Sequence, residues 1–174
     1  MKPTVKLVFI SSLSAILLTL QVAISFLPNI ELVSLLLIVY SFKLGKKDML
    51  LTILLFSLLE GIVWGFGDWV IGYMWIWPVL YILTIIFKPI LKSNSSYWAI
   101  LSAIWGFLFG ILFAIQHAIM YGINMGYAYW LNGLLFDVIH AVGNYIVTIL
   151  LFEPLTTSFE KLYNRLEVTN ANHN

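Results

Sequence analysis

The chain has 174 residues, 61% hydrophobic and 10% charged, with nine Lys or Arg, eight Asp or Glu and a formal net charge of +1. Soluble domains have about 45–50% apolar and about 25% charged residues, so this composition excludes a soluble globular enzyme and marks a protein that meets lipid over most of its surface. The absence of cysteine removes disulfides, thiolate metal sites and cysteine nucleophiles together.

A helix crossing a hydrocarbon layer of about 30 Å needs roughly 20 apolar residues, and six apolar runs bounded by charge, Pro, Gly or Asn are present. They are Val5 to Leu27, Leu32 to Phe42, Met49 to Phe66, Val70 to Phe87, Tyr97 to Tyr121 and Trp130 to Phe152. The runs are continuous and lack two-residue alternation, which argues against barrel strands. The fold class expected is an all-α integral membrane bundle of six transmembrane helices: a substrate-binding domain over residues 1–157, with a polar cytoplasmic tail over residues 158–174.

In the first run, Lys2 and Lys6 precede a long apolar stretch. A cleaved secretory signal is one reading, but its apolar region is usually about 7 to 15 residues, and this run extends to Leu27. A retained first helix is expected. Ser11, Ala15, Thr19 and Ala23 recur on it every four residues, a small-residue ridge that permits close contact between helices. The ridge serves either internal packing or, if it faces outward, the docking of another membrane protein.

The second run is short. From Asn29 to Lys43 a helix rises only about 22 Å, so its outer end is expected to be recessed, with the Pro28 connection lining or covering a depression. The third run carries Ser57, Glu60 and Trp64 at helical spacing. The fifth brings Gln116 and His117 to its outer end, and the sixth carries Asp137, His140 and Asn144 on one face below Trp130.

All nine basic residues fall at four places that six crossings put on one side: Lys2 and Lys6; Lys43, Lys46 and Lys47; Lys88 and Lys92; Lys161 and Arg165. The connections on the other side contain none. By the positive-inside rule both termini are cytoplasmic. The outer half is therefore rich in aromatic and acidic groups and free of cations. An interfacial aromatic belt explains part of this, but five of the seven Trp lie toward the outer side, which a symmetric belt does not predict.

Ionisable groups within a span cost at least about 2.5 kcal/mol near the bilayer centre unless paired or hydrated. Glu60, Asp137 and His140 could pair with one another as ties between helices. Their coincidence with aromatic surface favours a wet ligand cavity, with Trp64, Trp69, Tyr127 and Trp130 stacking on a ring and Glu60, Asp137, His140 and Asn144 hydrogen-bonding to it. A site with acids and no Lys or Arg repels a free carboxylate unless His117 or His140 is protonated. The phosphate-cradling G-x-x-x-x-G-K-[ST] pattern is absent, as are H-E-x-x-H and G-x-S-x-G. No enzyme activity, resident cofactor, metal site or nucleic-acid partner is expected.

With these residues in place, the chain resembles the substrate-binding S components of energy-coupling factor (ECF) vitamin transporters. The resemblance extends from the first helix to Glu153-Pro154. It is carried by Leu27-Pro28-Asn29-Ile30-Glu31-Leu32-Val33-Ser34, by Leu59-Glu60-Gly61 with Gly65-Phe66-Gly67, and by Phe136-Asp137-Val138-Ile139-His140 with Gly143-Asn144. It implies a multi-pass protein of a prokaryotic plasma membrane that binds a small ring-containing vitamin or precursor at its outer side, with the first outer loop as a lid. It also implies a partner membrane scaffold and two cytosolic ATPases, with toppling of the S component carrying the ligand inward. The helix-one contact for that scaffold corresponds to Ser11 and Ala15, where the family pattern has two alanines. The N-terminal His of cobalt and nickel relatives is absent, as is the helix-four Glu-Tyr pair of thiamin-binding ones. The alternative function is a proton-coupled secondary transporter with Glu60, Asp137 and His140 as its relay.

Overall fold

The computed structural model describes the backbone of residues 2–171 and the side chains of residues 2–168. Six helices account for nearly all of it: α1 (Pro3–Ala23), α2 (Val33–Tyr40), α3 (Lys46–Trp64), α4 (Asp68–Leu91), α5 (Ser95–Tyr121) and α6 (Ile123–Ala171). No strand occurs among the described residues. Four helices, α1, α4, α5 and α6, are long and apolar enough to cross a membrane. Their outer faces carry large apolar side chains such as Ile119, Leu135, Leu150 and Ile90, each more than 60% exposed. Apolar exposure on that scale fits hydrocarbon surroundings rather than water.

The two helices outside that set differ from expectation for separate reasons. α3 has sufficient length at 19 residues but carries Lys46, Lys47 and Asp48 in its first turn and Glu60 further along. α2 is only eight residues, about 12 Å of rise, and all eight are buried. A helix apolar on every side belongs in an interior. The pairs α1·α3, α3·α4, α4·α5 and α5·α6 pack side by side, while α2 touches α6, α4 and α1. α2 is thus the plug of the bundle rather than one of its staves.

Local chemistry sets the helix ends. The Glu31 carboxylate accepts the Ser34 N–H at 2.9 Å and so satisfies one of the free donors that open α2. The Asn94 side chain caps α5 by accepting from the Ser96 and Tyr97 N–H groups at 3.0 and 3.2 Å. α3 stops at Gly65 (φ 88°) and α5 at Gly122 (φ 95°), both in the left-handed region that residues with a Cβ rarely adopt.

Gly122 is the whole connection between α5 and α6. The polar stretch from Gly122 to Asn132, expected as a loop, is instead the start of α6. Gly126 allows this, because a Cβ there would sit 2.6 Å from the Ala114 carbonyl oxygen. Close packing against α5 overrides the poor helix propensity of Gly and Asn. At its other end α6 runs through Pro154 to Ala171, beyond the expected stop at Phe152. Residues 158–171 continue the helix, with Phe159 buried against Tyr40 (4.9 Å between centroids) and Phe9 (6.1 Å). Residues 172–174 of the expected tail lie outside the described residues.

The two ends of the bundle differ in charge. At one end Lys6 pairs with Asp48 at 2.8 Å, Lys43 lies 3.7 Å from Glu160, and the Lys88 ammonium donates to the Phe42 carbonyl at 2.9 Å. The opposite end holds acids, aromatics and a cavity.

Candidate functional site

A cavity of about 760 Å³ opens among α1, α3, α4, α5, α6 and the connection 24–32. That volume lies within the range of small-molecule pockets, about 300–1,000 Å³.

The α4 wall is an aromatic stripe at four-residue spacing, which one helix face requires. Trp69, Tyr73 and Trp77 stand edge to face, with centroids 5.3 and 5.4 Å apart. α5 adds Phe109 and Phe113, 5.2 Å apart. Phe109 closes the floor by packing 5.1 Å from Trp77 and 5.2 Å from the His140 ring. α3 contributes Glu60 and Trp64, and α6 contributes Tyr129, Trp130, Asp137 and His140.

The connection 24–32 forms the remaining wall and is fastened to α6. Asn29 has φ 58°, a left-handed conformation that Asn tolerates better than most residues. Its side-chain amide donates to the Phe136 carbonyl at 3.3 Å. Glu31 holds His140 Nε2 at 3.2 Å. Burial alone would push the Glu31 carboxyl upward, but the contacts with His140 and Ser34 outweigh it and hold the group below its ordinary 4.5. The recessed α2 expected from the sequence thus places its preceding connection at the cavity, as its length requires.

Close approach of α5 and α6 sets the position of Asp137 and His140. Gly106 and Gly110 are one turn apart on α5 and face α6. A Cβ on Gly106 would meet the His140 carbonyl and the Ala141 nitrogen at 2.9 Å, and one on Gly110 would overlap the Asp137 carboxylate. The carboxylate occupies space that only a glycine leaves.

Six of the nine residues expected at a ligand site line the cavity: Glu60, Trp64, Trp69, Trp130, Asp137 and His140. The other three do not. His117 lies behind the wall, stacked on Tyr129 at 4.0 Å, with Nδ1 3.0 Å from the Phe113 carbonyl and Nε2 3.8 Å from Asp68. Tyr127 sits near the start of α6, 61% exposed. Asn144, one turn deeper than His140, is buried and donates to the Ser102 carbonyl at 3.3 Å, a tie between α6 and α5. Glu60, Asp137 and His140 do not form the mutual pairing considered above, since His140 engages Glu31 instead.

Other liners lie outside those nine: Glu31, Tyr73, Trp77 and Tyr129, which the sequence places in the aromatic and acidic outer half, and Phe109 and Phe113, which it does not single out. The Trp69-x-x-x-Tyr73-x-x-x-Trp77 stripe and the Gly106-x-x-x-Gly110 pattern are legible signs of a shared face and of a close helix contact. Glu31 is visible as an acid of the outer connection, but its pairing with His140 is not, because the two are 109 residues apart.

The chamber contains unused hydrogen-bonding capacity. Glu60 Oε1, Asp137 Oδ2 and Gln21 Oε1 are buried acceptors without a partner, and the Trp77 and Trp130 Nε1 groups are buried donors without one. Buried polar atoms are rarely left unpaired, and these five all belong to residues that line the one cavity. No protein-family model, curated protein or solved structure matches the chain. Fold and site together define an all-helical protein with membrane-type helices and an aromatic, acid-lined chamber at one end.

Proposed function

We propose that this chain is the membrane-embedded binding subunit of an ECF-type uptake system, taking a small ring-containing vitamin or precursor from outside a prokaryotic cell. The observation that carries the reading is the end chamber with its stacking walls and five unpartnered polar atoms, set opposite the basic end of the bundle. By the positive-inside rule the basic end, with both termini, faces the cytoplasm and the chamber faces outward. The chain has no phosphate-cradling motif, so energy for uptake comes from partner ATPases through a membrane scaffold. Ser11 and Ala15 on α1 are exposed, as are Thr19 and Ala23. This outward ridge of small side chains suits close contact with a scaffold helix.

In a proton-coupled carrier, Glu60, Asp137 and His140 would form a relay. The bond of His140 to Glu31 gives it a different partner, and binding is the better-supported role.

The test is uptake by cells and ligand binding by the purified chain, measured together. Mass spectrometry of the small molecule that copurifies supplies the ligand. Uptake should stop when cytosolic ATP is depleted, while binding to the isolated chain persists. Asp137→Asn and Trp130→Ala should each weaken binding by about tenfold or more, the scale of one charged hydrogen bond or one stacking contact. Unchanged affinity in both variants, or ATP-independent uptake, would remove the proposal.

A further inference from the structure

The charge balance of the chamber points to one class of guest. Its lining includes the acids Glu31, Glu60 and Asp137 and the imidazole of His140, with no Lys or Arg. Glu31 is already engaged, by His140 on one oxygen and by the Ser34 N–H on the other. Glu60 and Asp137 remain. Their residues are 2% and 6% exposed, and each carries a carboxylate oxygen with no partner. Two buried acids without a protein cation are costly unless something charged or donor-rich meets them.

Every Lys and Arg of the sequence lies outside the chamber lining. His140 is the one basic side chain among the lining residues, and Glu31 already holds it. The walls around them are faces and edges of Trp, Tyr and Phe rings, which attract a cation through the ring quadrupole. The Trp77 and Trp130 indole N–H groups add unpartnered donors, which call for at least one acceptor elsewhere on the same guest.

From this geometry we infer that the chamber selects a positively charged, nitrogen-bearing ring ligand, whose N–H or cationic centre faces Glu60 and Asp137, over neutral and anionic molecules of the same shape. The inference rests on the uptake reading only in assuming that the chamber holds a guest; the charge preference itself is a property of the isolated chain.

The planar series benzamidine, benzamide and benzoate carries +1, 0 and −1 on nearly one shape. Titrated into the purified full chain in lipid nanodiscs at pH 7 and followed by calorimetry, benzamidine should bind at least about tenfold more tightly than benzamide. Benzoate should not bind measurably. In Glu60→Gln and Asp137→Asn the preference for benzamidine over benzamide should shrink toward unity. The wild-type comparison stands even if either variant fails to fold. Equal affinity for benzamidine and benzamide, any preference for benzoate, or no binding of benzamidine would overturn the inference. Charge selection without ATP-dependent uptake would remove the uptake reading and leave the cation site. ATP-dependent uptake with no charge selection would do the reverse.

Discussion

Gly106→Ala tests how the chamber is held open. The substituted Cβ would stand 2.9 Å from the His140 carbonyl carbon and oxygen and from the Ala141 nitrogen, where ordinary contact begins at 3.4 Å. All three atoms belong to helix backbone and cannot rotate aside, so α5 and α6 must separate locally by about 0.5 Å. Overpacking of this kind costs about 1–3 kcal/mol, and the rigidity of both partners favours the upper half of that range. The displacement falls at His140, whose ring fastens the connection 24–32 through Glu31 at 3.2 Å. The variant should therefore lose stability and ligand affinity together, read by thermal unfolding in detergent and by calorimetry on the copurifying molecule. Gly45→Ala is the control, since a Cβ there meets nothing within 4 Å; as the residue that opens α3 it should lose no more than about 1 kcal/mol, the preference for Gly over Ala at a helix start. If Gly106→Ala unfolds at the same temperature as Gly45→Ala, the close contact of α5 and α6 is not what positions the acids.

Other residues make separate predictions. Glu31 lies in the connection before α2, and its carboxyl is held below 4.5 in the folded protein. The stability it contributes is fully present above that pH and is lost as the pH falls through the lowered folded value. The hydrogen-exchange protection of residues 24–32, measured against the intrinsic rate at each pH, should fall on acidification below about pH 4.5. Glu31→Gln should show the same low protection at every pH, and a wild-type connection equally protected at pH 3 and pH 6 would contradict this account. Ser11→Leu and Ala15→Leu enlarge exposed positions on α1, so ligand binding should be retained while uptake and scaffold copurification are lost. Retained uptake in the double variant would move the docking surface elsewhere. Phe159→Ala removes a ring buried against Phe9 and Tyr40, at a cost of about 3–5 kcal/mol. A loss below about 1 kcal/mol on thermal unfolding would show that the extension of α6 is not part of the core.

Much of the architecture was readable from local sequence because the energies involved are local. Transfer of an apolar segment into hydrocarbon depends on that segment alone, so the long runs behind α1, α4, α5 and α6 were visible as membrane-type helices. The same reasoning misjudged α6 at both ends. The stretch from Gly122 to Asn132 reads as a connection, and Glu153-Pro154 as a stop, until Ala114 and Phe9 are seen packed against the neighbouring turns. The site was half legible. Glu60, Asp137, His140 and Trp130 stood out because charge and indole are conspicuous inside apolar runs. His117 and Asn144 stood out for the same reason, yet one stacks behind Tyr129 and the other ties α6 to α5.

The amino-acid sequence by itself determined that the chain is helical, membrane-type and charged unevenly between its ends, since hydropathy and the distribution of Lys and Arg are properties of the chain in order. Only the tertiary structure decided which polar groups share a space. Glu31 meets His140 across 109 residues, while Glu60 and Asp137 are left without partners at the wall of one chamber. Helical periodicity orients a side chain about its own axis, but the rotation of one helix against another is set by contacts such as Gly106 on His140, and those exist only once the helices have packed.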